Sequence, residues 1–213
     1  MMRLLLFPGL GADPGMYGDL MRRWRGPCPI VPLPWLPPGG SVAAYAARYA
    51  PFVRPDDLIG GSSFGGMVAI ELVRRLGRDR VALIGSCDDP RHLGPTVRLL
   101  LPLAGTALVR MLVHRGMAGV VRFTAAAAYA QRSARCLARL ARRTDPGVVA
   151  WAGQAIADWR PLPLDGVRIA RIHGADDRII LPHGEACIVP HARHPLAISH
   201  PDAVAGFLMR FCA

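Results

Sequence analysis

The chain has 213 residues, 52% hydrophobic and 19% charged, with 23 Gly and 20 Pro. That is enough apolar sequence for one sizeable core, and too much for a disordered chain. No apolar run reaches the roughly 18 residues of a membrane-spanning helix without meeting a charge, and the net charge of +11 rests wholly on Arg, since neither Lys nor Asn occurs.

The arginine bias fits GC-rich coding DNA and does not by itself name a partner. At the N-terminus, Leu4 to Phe7 is too short an apolar run for a secretory signal, so a cytoplasmic protein is expected. Cys28, Cys87, Cys136, Cys187 and Cys212 are odd in number, scattered and without CxxC spacing. They are expected to be reduced, buried small hydrophobes.

In chain order, β-like runs are expected at 3–7, 29–33, 57–60, 81–85, 167–173 and 186–189. Helices are expected between them, among them 42–52 after Ser41 as N-cap, 64–76 closed by Gly77, and 201–211 opening on Pro201. This alternation predicts an α/β fold with a mostly parallel sheet of about six strands flanked by helices. From Pro90 to Leu164 the strand rhythm stops, and the sequence turns rich in Ala, Leu and Arg. Two or three helices are expected there, the last starting at Thr144-Asp145-Pro146. The expected organisation is a core of 1–89 and 165–213 interrupted by a helical cap insertion, 90–164. Between Asp89 and Asp145 there is no carboxylate, while arginines stand at 91, 98, 110, 115, 122, 132, 135, 139, 142 and 143.

The most informative segment is Gly60-Gly61-Ser62-Ser63-Phe64-Gly65-Gly66-Met67, a G-x-S-x-G pattern centred on Ser63 where a strand ends and a helix begins. That context suits a nucleophile elbow, in which a strained turn lifts the hydroxyl above the sheet and small flanking residues let the backbone pass. The plainer reading is a glycine-rich turn or an anion site at a helix N-terminus. An acid and a histidine should follow. Asp177 in Gly174-Ala175-Asp176-Asp177 lies after the fifth strand, with Asp176 as its neighbouring substitute and Asp88 or Asp89 as a weaker option. His194 lies in the loop before the last helix, and His183, His191 and His200 compete with it on composition alone.

With these motifs in place the chain resembles a small α/β-hydrolase-fold serine hydrolase of the carboxylesterase or thioesterase type, from first strand to last helix. Phe7-Pro8-Gly9-Leu10-Gly11 is similar to the family's first loop, and the resemblance implies Leu10 and Phe64 as the backbone N–H donors of an oxyanion hole. Gly174 to Asp177 and His194 to Pro201 match the spacing of the family's acid loop and terminal histidine segment. Leu33-Pro34-Trp35, with Thr144-Asp145-Pro146 and Trp151, further resembles a group of small bacterial hydrolases. Pro8 stands where the family has a histidine, Arg193 where it has a glycine, and Ser62 where bulkier residues are common.

The implied chemistry is acyl transfer to water, with Ser63 as nucleophile, His194 as base, Asp177 as acid and no cofactor. Substrate contacts are expected from Met67, Trp151 and Trp159, with Leu99 to Leu101, Leu108, Met111, Leu112 and Met117 as further cap candidates. For any one of these, packing of the cap onto the core is the commoner role. The arginines would steer an acidic acyl carrier protein, an anionic substrate or a membrane surface, or else form a solvated face. Nucleic acid is not expected, because no recognition motif accompanies the charge.

Gly9-Leu10-Gly11 imitates a dinucleotide fingerprint, but Pro14 interrupts it and no acidic residue ends the second strand. No HExxH, Cys/His zinc spacing or P-loop occurs, so no metal or nucleotide is expected. The alternative from another class is a binding protein that keeps the fold without turnover.

Overall fold

The computed structural model describes residues 1–103, 131–143 and 145–213. Six strands, β1 (Leu4–Phe7), β2 (Ile30–Pro32), β3 (Leu58–Ser62), β4 (Arg80–Ile84), β5 (Arg168–Gly174) and β6 (Cys187–Val189), form one sheet in the order β2-β1-β3-β4-β5-β6. Every neighbouring pair is parallel. The described α-helices are α1 (Gly18–Arg23), α2 (Val42–Ala47), α3 (Phe64–Leu76), α4 (Pro95–Leu100), α5 (Gln131–Arg143), α6 (Pro146–Ala157), α7 (Leu196–Ser199) and α8 (Pro201–Cys212).

Side-chain alternation divides the core. Leu5, Phe7, Ile59, Val81 and Leu83 face one side of the sheet with residues of α2, α3 and α6. Leu4, Leu6, Leu58, Ala82 and Ile84 face the other with residues of α1, α7 and α8. Both faces are covered, so the central strands read as unbroken apolar runs such as Leu4-Leu5-Leu6-Phe7. The expected 42–52 helix is shorter than its pattern: α2 ends at Ala47, and a separate 3-10 turn covers Ala50–Phe52. Pro51 lacks an amide hydrogen and disfavours helical geometry at the residue before it, which accounts for the break.

The sheet order reverses at β1, with β2 on one side and β3 on the other. In open parallel sheets this reversal opens a crevice beyond the carboxyl ends of the strands. The loop after β1 and the turn after β3 both enter it.

The described helix that precedes β5 packs onto the same core. At α6, Asp145 accepts a hydrogen bond from Gly147 N at 2.7 Å, as its sequence signal predicts. Ala152, Ala155, Ile156 and Trp159 are buried beside α3. Trp159 Nε1 donates to Glu71 Oε1 at 2.8 Å, while Arg74 holds the other carboxylate oxygen. At the opposite edge, Asp57 has no side-chain exposure and is held by Arg3 and by the Arg54 amide. Burial alone pushes this carboxyl up, but the Arg3 guanidinium and the Arg54 amide outweigh it and hold it below its ordinary value.

Two outcomes are expected. Trp159→Phe leaves Glu71 Oε1 buried and unpaired, lowering stability by about 1–3 kcal/mol in urea denaturation. The folded Asp57 carboxyl binds its proton more weakly than the unfolded one, so its contribution is complete above the unfolded value near about pH 4 and is lost as pH falls through the folded one. Asp57→Asn should therefore flatten the acid limb of stability against pH, measured by thermal melts.

Candidate active site

Ser63 joins β3 to α3 with φ 53° and ψ −126°, a left-handed conformation that strains a non-glycine residue. Its neighbours explain how the turn closes. A Cβ on Gly65 would lie 2.2 Å from Pro8 O, and one on Gly61 would lie 2.3 Å from Gly65 O. No side chain fits at either position. Ser63 N donates to Ile84 O at 3.0 Å, and Ser86 Oγ donates to Ser63 O at 2.6 Å. The turn is thus tied to β4 and to the residues that follow it.

The loop after β5 supplies Asp177, which is 3% exposed, whereas Asp176 points into solvent. Asp177 Oδ1 accepts from Ile179 N at 2.9 Å and Ile180 N at 3.1 Å, which orients the carboxylate. Its Oδ2 lies 2.8 Å from His194 Nδ1, and His194 Nε2 lies 2.7 Å from Ser63 Oγ. The three residues singled out in the sequence, 131 positions apart at the extremes, therefore form one hydrogen-bonded chain.

The competing residues are engaged elsewhere. Asp88 pairs with Arg171 and His183, Asp89 with Arg91, and His200 with Ser199 Oγ. His191 is exposed. His173, wholly buried beneath the site, is pushed down to about 4 by burial, with His183 adding repulsion. It is therefore neutral at pH 7. Burial pushes the Cys87 thiol up to about 12, with the Asp88 charge adding to it, so this thiol is no competing nucleophile.

The first loop lies against the serine, since a Cβ on Gly9 would sit 3.5 Å from Ser63 Cβ. Tyr17, fully buried, donates to Phe7 O at 2.6 Å, and Gly9 N approaches Met16 Sδ at 3.2 Å. Pro8 contributes its carbonyl to the close contact with Gly65, and Arg193 is exposed. Neither departure from the family pattern interrupts the serine–histidine–aspartate chain.

Of the expected substrate contacts, Trp151 packs against the residue that follows the nucleophile. Its ring lies 4.5 Å from Tyr45 and 5.7 Å from Phe64, the residue after Ser63, and its Nε1 donates to Gly40 O at 2.9 Å. Trp35 stacks on Phe64 at 5.6 Å. Met67 is buried in the core. Trp159 is also buried, and forms one wall of a cavity of about 440 Å³ with Leu93, Leu101 and Ile156, beside Asp89, Arg91, Arg98 and Arg160. Leu99 and Leu100 are exposed, while Leu108, Met111, Leu112 and Met117 lie outside the described residues.

Sequence reasoning missed Ser86 and Tyr17. Neither belongs to a motif: the Ser86 bond appears only once β3 and β4 are adjacent, and the Tyr17 bond only once the turn after β1 folds back on that strand.

No protein-family model matches the sequence, and comparison with curated proteins finds no match. Solved structures do match along nearly the whole chain. A thermophilic esterase from Thermogutta terrifontis superimposes with a TM-score of 0.75 at 16% identity, covering 99% of this chain and 89% of that one. The chain has the α/β-hydrolase fold. The RedJ thioesterase of the prodiginine pathway in Streptomyces coelicolor matches with a TM-score of 0.62 at 20% identity, over 98% of this chain and 89% of that one. The N-acyl homoserine lactonase AidH matches with a TM-score of 0.74 at 16% identity, over 100% and 90%. In this α/β-hydrolase fold the sheet consists of six parallel strands, in line with the expected sheet of about six.

The strain at Ser63 has a thermodynamic signature. Ser63→Gly should raise stability by about 1 kcal/mol, since glycine adopts this backbone freely and offsets only part of the gain through its unfolded-state entropy. Equilibrium urea denaturation of the two proteins measures the difference.

Proposed function

We propose that this chain is a serine hydrolase that cleaves carboxylic esters or thioesters of small to medium apolar acyl groups through an acyl-enzyme intermediate. The observation that carries the reading is the unbroken relay from Ser63 Oγ through both His194 nitrogens to Asp177, built on a strained elbow. The esterase, thioesterase and lactonase among the structural neighbours act on related bonds.

The hydrogen bonds define the roles. Asp177 can only accept from His194, so the imidazole carries its proton on Nδ1 and presents an Nε2 lone pair to the Ser63 hydroxyl. As Ser63 Oγ attacks the acyl carbon, Nε2 takes the hydroxyl proton, and Asp177 stabilises the imidazolium. The Leu10 and Phe64 amides, which have no hydrogen-bond acceptor among the described residues, are the donors proposed for the oxyanion. Collapse of the tetrahedral intermediate expels the alcohol or thiol, protonated by His194. Water, deprotonated by the same nitrogen, then attacks the acyl-enzyme and releases the acid.

Substrate selection in this reading belongs to the segment between β4 and β5, proposed as a cap, with Trp151 near the scissile bond. Arg98 and Arg160 in the lining of the cavity, where Arg91 is already paired with Asp89, favour a leaving group that carries negative charge, such as the phosphate-bearing arm of an acidic acyl carrier protein.

The test is fluorophosphonate labelling with peptide mapping, alongside turnover of p-nitrophenyl esters and acyl thioesters. One adduct on Ser63 is expected. Ser63→Ala and His194→Ala should each lower kcat by roughly 10⁴- to 10⁶-fold, and Asp177→Asn by roughly 10⁴-fold through loss of the productive tautomer. Absence of an adduct under conditions that label a control hydrolase would replace hydrolysis with ligand binding on the same fold.

A further inference from the structure

A second group of polar side chains stands at the same sheet edge and takes no part in the relay. Asp88 and His92 follow β4, and His183 follows β5. Asp88 Oδ1 lies 3.2 Å from His183 Nε2 and 3.6 Å from His92 Nδ1, and the three donor atoms all lie within 4.8 Å of one another. A tetrahedral Zn²⁺ with ligand distances near 2.1 Å sets adjacent donors about 3.4 Å apart.

The proton inventory explains why these atoms face each other. His183 Nδ1 lies 2.9 Å from the Leu181 carbonyl. A carbonyl only accepts, so Nδ1 carries the proton and the neutral ring presents a lone pair at Nε2. That lone pair faces Asp88 Oδ1, another acceptor. The conflict is resolved by a positive centre, either a second ring proton or a metal ion. His92 Nδ1 discriminates between the two: it is buried, faces the same carboxylate and has no hydrogen-bond partner among the described residues. A proton on His183 leaves that nitrogen unsatisfied, whereas an ion takes it up.

We propose that Asp88, His92 and His183 bind one divalent transition-metal ion of the Zn²⁺ class. Two imidazoles and a carboxylate suit such an ion, with the fourth position open to water. Arg171 holds Asp88 Oδ2 and so fixes the carboxylate's rotation, leaving Oδ1 for the ion. Its positive charge lowers the affinity, and Asp89 beside the site opposes that effect. The side chain of His183 is 8% exposed and anchored at Leu181, while that of His92 is 36% exposed. The two rings stack at 3.8 Å and 10°, so ligation in the plane of both requires the more exposed His92 ring to swing out of the stack.

The ion would rivet two loops that are already joined. Leu93 bridges Ile180, Gly94 N donates to Ile179 O at 2.9 Å, and Leu181 N donates to His92 O at 2.9 Å. One of these loops carries Asp177.

The experiment uses the EDTA-treated 213-residue chain bearing Ser63→Ala, so its result does not depend on hydrolysis. Zn²⁺ is titrated by calorimetry and Co²⁺ by visible absorption. One equivalent should bind saturably, with the intense d–d bands of four-coordinate Co²⁺, and Zn²⁺ at a hundredfold excess over Kd should raise Tm by roughly 5–10 °C. His183→Ala and His92→Ala should each abolish the Co²⁺ bands, and Cys187→Ser should keep them. His92 is exposed enough for its variant to fold even if loss of His183 disturbs the acid loop. Absence of saturable uptake would overturn the proposal in favour of an imidazolium–carboxylate pair. Uptake that survives both histidine substitutions would overturn it in favour of an ion bound elsewhere.

Discussion

The turn at Ser63 is the constraint around which the sheet edge is arranged. A serine held at φ 53° is unfavourable by about 1–3 kcal/mol and persists because its surroundings leave no alternative. Gly65 is pressed against the backbone after β1, Gly61 against Gly65 itself, and Ser86 holds the Ser63 carbonyl from the end of β4. Three adjacent parallel strands therefore have to be in register before the hydroxyl points where it does. The strain is offset by core burial on both faces of β1, β3 and β4.

The same edge is tuned by burial and charge as well as by backbone shape. Gly85, at φ 52°, lets the chain pass 3.1 Å from His194 O, measured from where a Cβ would stand. This brings the β4 loop, the Asp177 loop and the His194 loop into one crevice. His173 beneath them is kept neutral by its burial and places no charge under the relay. The Asp88 cluster lies on the far side of His173, its His183 ring 5.1 Å away. Two constellations of acid and histidine thus share one sheet edge but have separate hydrogen-bond partners.

Much of this was legible in the sequence. The six strands were expected within a residue or two of where they lie, because strands buried on both faces and bounded by Gly, Pro and Asp leave a strong local pattern. α3 was read to the residue, through Gly77 as a C-cap, and α6 begins within the expected start signal Thr144-Asp145-Pro146. The 42–52 helix was read too long, since its apolar spacing continues past the point where Pro51 breaks it. Trp159 was read as a substrate contact, yet the buried bond to Glu71 gives it a structural part that spacing alone could not disclose.

What the sequence determined by itself is what local stereochemistry dictates: the strand and helix order, the elbow at Ser63, and the acid and histidine in chain order after it. The tertiary structure decided the choices among equivalent residues. Asp177 over Asp176, and His194 over His183, His191 and His200, follow from which side chains the fold joins to Ser63, and the His194–Ser63 contact links residues 131 positions apart. The grouping of Asp88 and His92 with His183 is of the same kind. A separation of 91 positions between His92 and His183 carries no spacing signal, and only the parallel pairing of β4 with β5 brings their donors within reach of one ion.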